Sequence, residues 1–317
     1  MTWAMREVLT PDLIDRLRTA GLDPQDVAQV AATALDEDLA GRTDVTTEAT
    51  IPPRAEGTGH LVARADGVAA GLPVAETVFR VAASRAAATG SGGEDSAQPF
   101  SISYHSADGD RIHRGDTLLT VNGRTRMLLT AERTALNLTC HLSGVATLTR
   151  RWADEVAGTG ARIRDTRKTL PGLRALQKYA VRCGGGVNHR MSLSDAALVK
   201  DNHVVAAGSV AAAFAAVSAA APGLPIEVEC DTLAQVKEAV EAGATLILLD
   251  NFGVTDMAAA VALVAGRALL EASGGLTLEQ ARAVAATGVD YLSVGALTHS
   301  APALDIALDL APAARRR

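Results

Sequence analysis

Two patterns of hydrophobic and polar positions divide the chain. Up to about residue 136, helical spacings over Asp12 to Ala20 and Pro24 to Asp38 mix with strand-like pieces such as GHLVARADG and DTLLTVNG. That mixture predicts an N-terminal α+β domain over 1–136. From about Asn137 short apolar runs alternate with helical patterns, as in successive βα units. The runs are ARIRD, AALVKDNH, IEVECD, LILLDNF, ALLEASGG and YLSVGALTHS. Between them, Thr232 with Gln235 and Thr277 with Gln280 match the capping box, and Gly243 and Gly288 stand where helices stop. Leu233, Val236 and Val240 form an apolar stripe that can pack on a sheet.

Polar residues end these runs in turn: Lys200, Glu229, Asp250, Ser273 and Gly295, separated by 29, 21, 23 and 22 residues. Each step is close to one βα unit. Parallel barrels carry their chemistry at the C-terminal ends of strands, so this spacing gathers distant residues at one mouth. A doubly wound sheet would show a Gly-rich phosphate loop after its first strand. The sequence has no G-x-G-x-x-G and no Walker lysine, which predicts an α/β barrel over 137–299.

Composition narrows the class. The 317 residues are 48% hydrophobic, 21% charged and 3% aromatic, a globular balance with cores of small aliphatic side chains. The patch AAATGSGGEDSAQP, Ala86 to Pro99, reads as a surface loop. The uncharged run Val204 to Ile226 has the length of a membrane span, but Gly208, Pro222, Gly223 and Pro225 interrupt it, so a buried or amphipathic helix of a soluble protein is expected. The N-terminal MTWAMREVLTPDL carries no signal-peptide pattern, and a cytoplasmic enzyme is expected. Cys140, Cys183 and Cys230 lack metal-ligand spacing and read as reduced thiols.

Charge then points to chemistry. Between Gly160 and His203 nine Lys or Arg face three Asp, in a chain whose net charge is −6. Nucleic-acid binding would spread such charge among aromatics, and a membrane helix would oppose it with large apolar residues; neither pattern is present. Arg174, Lys178 and Arg182 are expected on a solvated helix face. Arg167, Lys168, His189, Arg190 and Lys200 follow strand ends or adjoin the glycines of CGGGVNHR, which suits a small polyanion. Glu229 and Asp250, at neighbouring strand ends, suit either Mg²⁺ bridged to substrate phosphates or pairing with the arginines. The turns Ser273-Gly274-Gly275 and Gly295-Ala296-Leu297 allow backbone N–H groups to approach a phosphate.

Seven motifs in order, TAERTALNLTCHLSGVAT, IRDTRKTLPGLRALQKYAVRCGGGVNHR, LVKDNH, EVECD, LILLDNF, LEASGG and VGALTHS, resemble quinolinate phosphoribosyltransferase. The likeness runs from about Glu37 to the C-terminus. It departs at Ala86 to Pro99, which looks like an insertion, and over Phe252 to Arg267, which looks shortened. The resemblance implies an N-terminal α/β domain on an incomplete barrel of about seven strands, with the tail 300–317 returning to the first domain. It implies conversion of quinolinate and phosphoribosyl pyrophosphate, with Mg²⁺, to nicotinate mononucleotide, pyrophosphate and CO₂.

By matching motif, Arg167, His189, Arg190 and Lys200 would line the dicarboxylate pocket, and Lys168 would face pyrophosphate. Glu229 and Asp250 would hold the ribose hydroxyls and the Mg²⁺-bound substrate. Ser273, Gly274 and Gly295 would cradle the 5′-phosphate. Arg133 would reach a neighbouring subunit's pocket in a homodimer or larger assembly. His189 stands as the candidate proton donor beside an equally good hydrogen-bonding role, and His299 as a phosphate contact or a structural residue. No nucleic acid and no membrane is expected as partner. The rival readings are a phosphoribosyltransferase of the same fold acting on another base, and a non-catalytic polyanion binder.

Overall fold

The structure, a computed structural model, describes residues 8–88 and 100–312. It divides into two compact units, residues 1–147 with 171–184 and 301–317, and residues 148–170 with 185–300.

In the first unit, Thr10 and Asp23 accept backbone N–H groups at the starts of α1 (Pro11–Thr19) and α2 (Pro24–Leu39). Proline at the first helical position then costs no hydrogen bond. Next come α3 (Val45–Thr50), β1 (Glu56–Ala63), β2 (Gly67–Val68), α4 (Leu72–Ala88), β3 (Ser101–Tyr104), β4 (Arg111–Ile112), β5 (Thr117–Arg124) and the long α5 (Thr125–Glu155). The patch from Ala86 begins as the last turn of α4, and its remainder lies outside the described residues. An antiparallel sheet runs β12-β1-β5-β3, where β12 (Ile306–Pro312) lies along β1. Leu13, Leu17, Leu35, Leu61, Phe79 and Leu119 fill the core.

Helix α6 (Arg174–Cys183) also belongs to this unit, and it corrects an expectation. Residues 176 to 181 are all buried, Lys178 completely. A helix enclosed on every side has no solvated stripe, so of the three expected surface cations Arg182 alone is exposed and Arg174 is half-buried. Tyr179 donates its hydroxyl to Asp108, which also accepts the N–H groups of Gly71 and Leu72 at the start of α4.

The second unit carries six parallel strands: β6 (Arg162–Arg164), β7 (Ala197–Val199), β8 (Ile226–Cys230), β9 (Leu246–Asp250), β10 (Leu269–Ser273) and β11 (Tyr291–Ser293). Their order is β6-β11-β10-β9-β8-β7, and Val187 adds a parallel bridge to Arg164. Reading from that bridge, the ring follows chain order and stays open between Val187 and β7. This is an incomplete barrel, with six full strands and a single-residue rung at the seventh position.

Helices α7 (Asp201–Ala207), α8 (Val210–Ala220), α9 (Leu233–Glu241), α10 (Val254–Val264), α11 (Leu278–Ala285) and the short α12 (Ala296–His299) alternate with the strands. Thr232 and Gln235 close the expected capping box; Thr277 caps α11 without a side-chain bond. The uncharged run is not one helix. It splits at Gly208, φ 93°, into α7 and α8 bent by 92°, and Val205 is exposed. Among the described residues no single helix is long and apolar enough to cross a membrane. The three cysteines are free thiols.

Candidate active site

Strand period places the functional groups. Successive side chains alternate between faces, and paired residues share a face. The ladder registers Glu229 with Leu248, Leu248 with Glu271, and Asp250 with Ser273. One face therefore carries Glu227, Glu229, Asp250, Glu271, Ser273, Arg164 and Ser293. The other carries Val228, Cys230, Ile247, Leu249, Leu270, Ala272, Ile163 and Leu292, all buried and apolar, as helix packing requires. The inner face is unusually polar for a barrel.

Its floor is a charged cluster. Glu271, fully buried, accepts Arg164 Nη1 at 2.5 Å, while Arg164 also lies over the Tyr291 ring at 4.8 Å. Glu227, 3% exposed, accepts His189 Nε2 at 2.7 Å. Burial pushes both carboxyls above their usual range; Arg164 pulls against that shift in each. Glu227 Oε1 and Glu271 Oε1 have no hydrogen-bond partner among the described residues.

His189, Glu227 and Glu271 bring one ligand-type atom each within 4.8 Å of one another, but the imidazole argues against a metal there. Its Nδ1 accepts the backbone N–H of Arg190 at 2.7 Å. A neutral ring with Nδ1 accepting must carry its proton on Nε2, leaving that nitrogen no lone pair for an ion.

The rim holds the strand-end residues. Asp165, fully buried at the end of β6, accepts the His189 N–H at 2.8 Å and the Asn188 amide. Arg167 and Arg190 are half-buried. Burial and then Arg167 lower the Arg190 pKa, the mark of two guanidinium groups forced into proximity. Arg190 Nη1 donates to Ala196 O, yet Arg167 Nε and Arg190 Nε are buried without hydrogen-bond partners among the described residues. The loop after Arg190 is tied by Asp195. Slight burial raises its pKa, but the N–H groups of Met191 and Ser192 outweigh that and hold the carboxyl down to about 2.

Lys200 and Glu229 are paired with each other at 2.6 Å. Asp250 accepts the Asn251 amide at 2.7 Å. The expected phosphate residues Ser273, Gly274 and Gly295 share a cavity of about 210 Å³ with Lys168, Thr166 and His299. Lys168, expected against pyrophosphate, thus stands with the phosphate turns. A Cβ on Gly295 would lie 3.0 Å from Lys168 Cδ, so glycine keeps the cavity open. His299 Nδ1 is engaged with Ser300 Oγ at 2.6 Å. Arg133 is exposed on α5 in the first unit. Sequence reasoning passed over Arg164, Asp165, Glu227 and Glu271 as site residues, because only the strand ladder brings them together.

A buried floor of paired charges beneath two half-buried arginines at the strand ends defines an α/β barrel suited to a small polyanion. Comparison with known proteins names the family. Residues 44–143 and 145–309 match the N-terminal and C-terminal domains, respectively, of "Quinolinate phosphoribosyl transferase". The chain is 54% identical over 284 residues to "Nicotinate-nucleotide pyrophosphorylase [carboxylating]" of Mycobacterium leprae, covering 87% of this chain and 94% of that one. It is 39% identical to "Quinolinate phosphoribosyltransferase [decarboxylating] 2a, mitochondrial" of Nicotiana tabacum, over 90% and 82% of the two chains. The NadC structure of Streptococcus pyogenes superposes with a TM-score of 0.83 at 37% identity, covering 96% and 99%. The chain belongs to the quinolinate phosphoribosyltransferase family.

Proposed function

We propose that this enzyme transfers the phosphoribosyl group of phosphoribosyl pyrophosphate to quinolinate, with loss of CO₂, giving nicotinate mononucleotide and pyrophosphate for NAD biosynthesis. Beyond family membership, the guanidinium pair carries this reading. Arg167 and Arg190 are half-buried like charges, an arrangement that a ligand with two neighbouring carboxylates relieves.

In this reading Arg167, Arg190 and Lys200 grip the dicarboxylate. Ser273, Gly274 and Gly295 cradle the 5′-phosphate, and Lys168 meets negative charge on the leaving pyrophosphate. Glu229 and Asp250 stand beside the ribose, where positive charge develops as pyrophosphate departs. The pyridine nitrogen then attacks the ribose. The resulting pyridinium stabilises the electron pair left on the ring carbon as the C–C bond breaks and CO₂ leaves, and a proton from water then takes the place of the lost carboxylate.

Mg²⁺, when bound together with phosphoribosyl pyrophosphate, would supply charge neutralisation for the leaving group. Glu229 and Asp250, oxygen donors ending adjacent strands, would hold it, which fits its preference for one or two carboxylates plus phosphate oxygens. Reactants this highly charged do not cross membranes unaided, which supports a cytoplasmic setting.

Incubation with quinolinate, phosphoribosyl pyrophosphate and Mg²⁺ should release CO₂ and pyrophosphate in equal amounts. Turnover of nicotinate without CO₂ would replace this reading with the rival of another base.

We also propose a homodimer in which Arg133 completes the partner subunit's pocket; its exposure on α5 supports this. Mixing inactive Arg133→Ala and Arg167→Ala proteins under subunit exchange should restore activity, because one site of each mixed dimer regains both arginines. No recovery despite proven exchange would place Arg133 in its own subunit's site.

A further inference from the structure

We infer that Glu227, backed by Glu271 and Arg164, is a positioning residue that holds His189 as the neutral Nε2–H tautomer, so that His189 braces Arg190 rather than donating a proton. The inference rests on the dicarboxylate reading of the Arg167 and Arg190 pocket.

One donor beside the ring is fixed. A backbone amide can only donate, and the Arg190 N–H lies 2.7 Å from His189 Nδ1. Nδ1 is thus the acceptor, and the ring proton sits on Nε2, facing Glu227 Oε2 at 2.7 Å. Both ring nitrogens are committed within the protein, and His189 is only 8% exposed. A protonated ring would set an Nδ1–H against the Arg190 N–H, donor to donor.

The chain of support then runs inward. Glu227 and Glu271 flank β9 from the adjacent strands β8 and β10. Arg164 Nη1 bonds Glu271 at 2.5 Å and lies 4.0 Å from Glu227. From the other side, Asp165 accepts the His189 backbone N–H. The imidazole is therefore clamped at its backbone and at both nitrogens, and it passes that rigidity to the next residue, Arg190. Glu227 attracts the Arg190 guanidinium directly, and its hydrogen bond toward the pocket runs through the ring.

Two measurements test this. In the whole enzyme with ¹⁵N-labelled histidine, the His189 ring should show the resonance pattern of the Nε2–H tautomer; an Nδ1–H or doubly protonated pattern overturns the inference. Glu227→Gln replaces the carboxylate by an amide that accepts more weakly from Nε2–H and can also turn its NH₂ toward the ring, so it should loosen the brace. It should raise the KM for quinolinate on the order of ten- to a hundredfold, with the KM for phosphoribosyl pyrophosphate unchanged and kcat the lesser effect. A fall in kcat at unchanged quinolinate affinity overturns the inference in favour of proton donation. If Glu227→Gln does not fold, the wild-type spectrum still decides. If the wild-type enzyme binds no quinolinate, the proposed function fails while the tautomer result stands.

Discussion

Arg190→Ala is expected to weaken quinolinate binding by about 2–5 kcal/mol, roughly thirtyfold or more, while leaving thermal stability within about 1 kcal/mol of wild type. The two effects separate because Arg190 faces Arg167 with a partnerless Nε. Removing it costs the fold the bond to Ala196 O but relieves repulsion from the Arg167 charge. Arg162 is the matched control. It lies on the same strand as Arg164, at the opposite end, and is exposed. Arg162→Ala should change affinity by less than about 1 kcal/mol. Calorimetric titration of both variants with quinolinate measures the difference, and equal losses would sink the strand-end argument.

The second large effect concerns Gly274. Its φ is +89°, and a Cβ there would lie 2.3 Å from Asn251 Oδ1 and 2.8 Å from Asn251 N. Asn251 cannot easily retreat: its N–H is bonded to Ser273 O at 2.9 Å and its own φ is +58°. Gly274→Ala should cost about 1–3 kcal/mol of stability and raise the KM for phosphoribosyl pyrophosphate at least tenfold by distorting the phosphate cavity. Neighbouring Gly275, φ +59°, has nothing within 4 Å of a Cβ. Gly275→Ala should cost only the backbone term, about 1–2 kcal/mol. Denaturant melts and initial rates on both variants make the comparison. Equal effects would mean that contact with Asn251 is unimportant.

Much of the second unit was legible because strand ends are marked by polar residues at near-regular spacing, and each of the six apolar runs contains a strand. Glu229, Asp250 and Ser273 stand at or beside those ends. What escaped lies deeper. Glu227 and Glu271 sit inside apolar runs, and nothing local distinguishes a buried carboxylate from an exposed one; only the ladder brings them to Arg164 and His189. Lys178 failed for the opposite reason. Its helix has the charge spacing of a surface element, and burial of the residues on all its sides comes from packing that sequence periodicity does not encode. The pairing of Lys200 with Glu229 likewise joins groups 29 residues apart that motif matching had assigned to different substrates.

The seam between Val187 and β7 has a consequence for how such an enzyme can change. Residues 188–196 span it as the connection between the two edges of the ring, and they include both His189 and Arg190. The segment proposed to hold the acid is thus hung across a gap and forms no rung of the sheet. New lengths or residues there can be tried against a different acid while every strand pairing of the barrel survives, so substrate choice and structural integrity are free to evolve on separate pieces of chain.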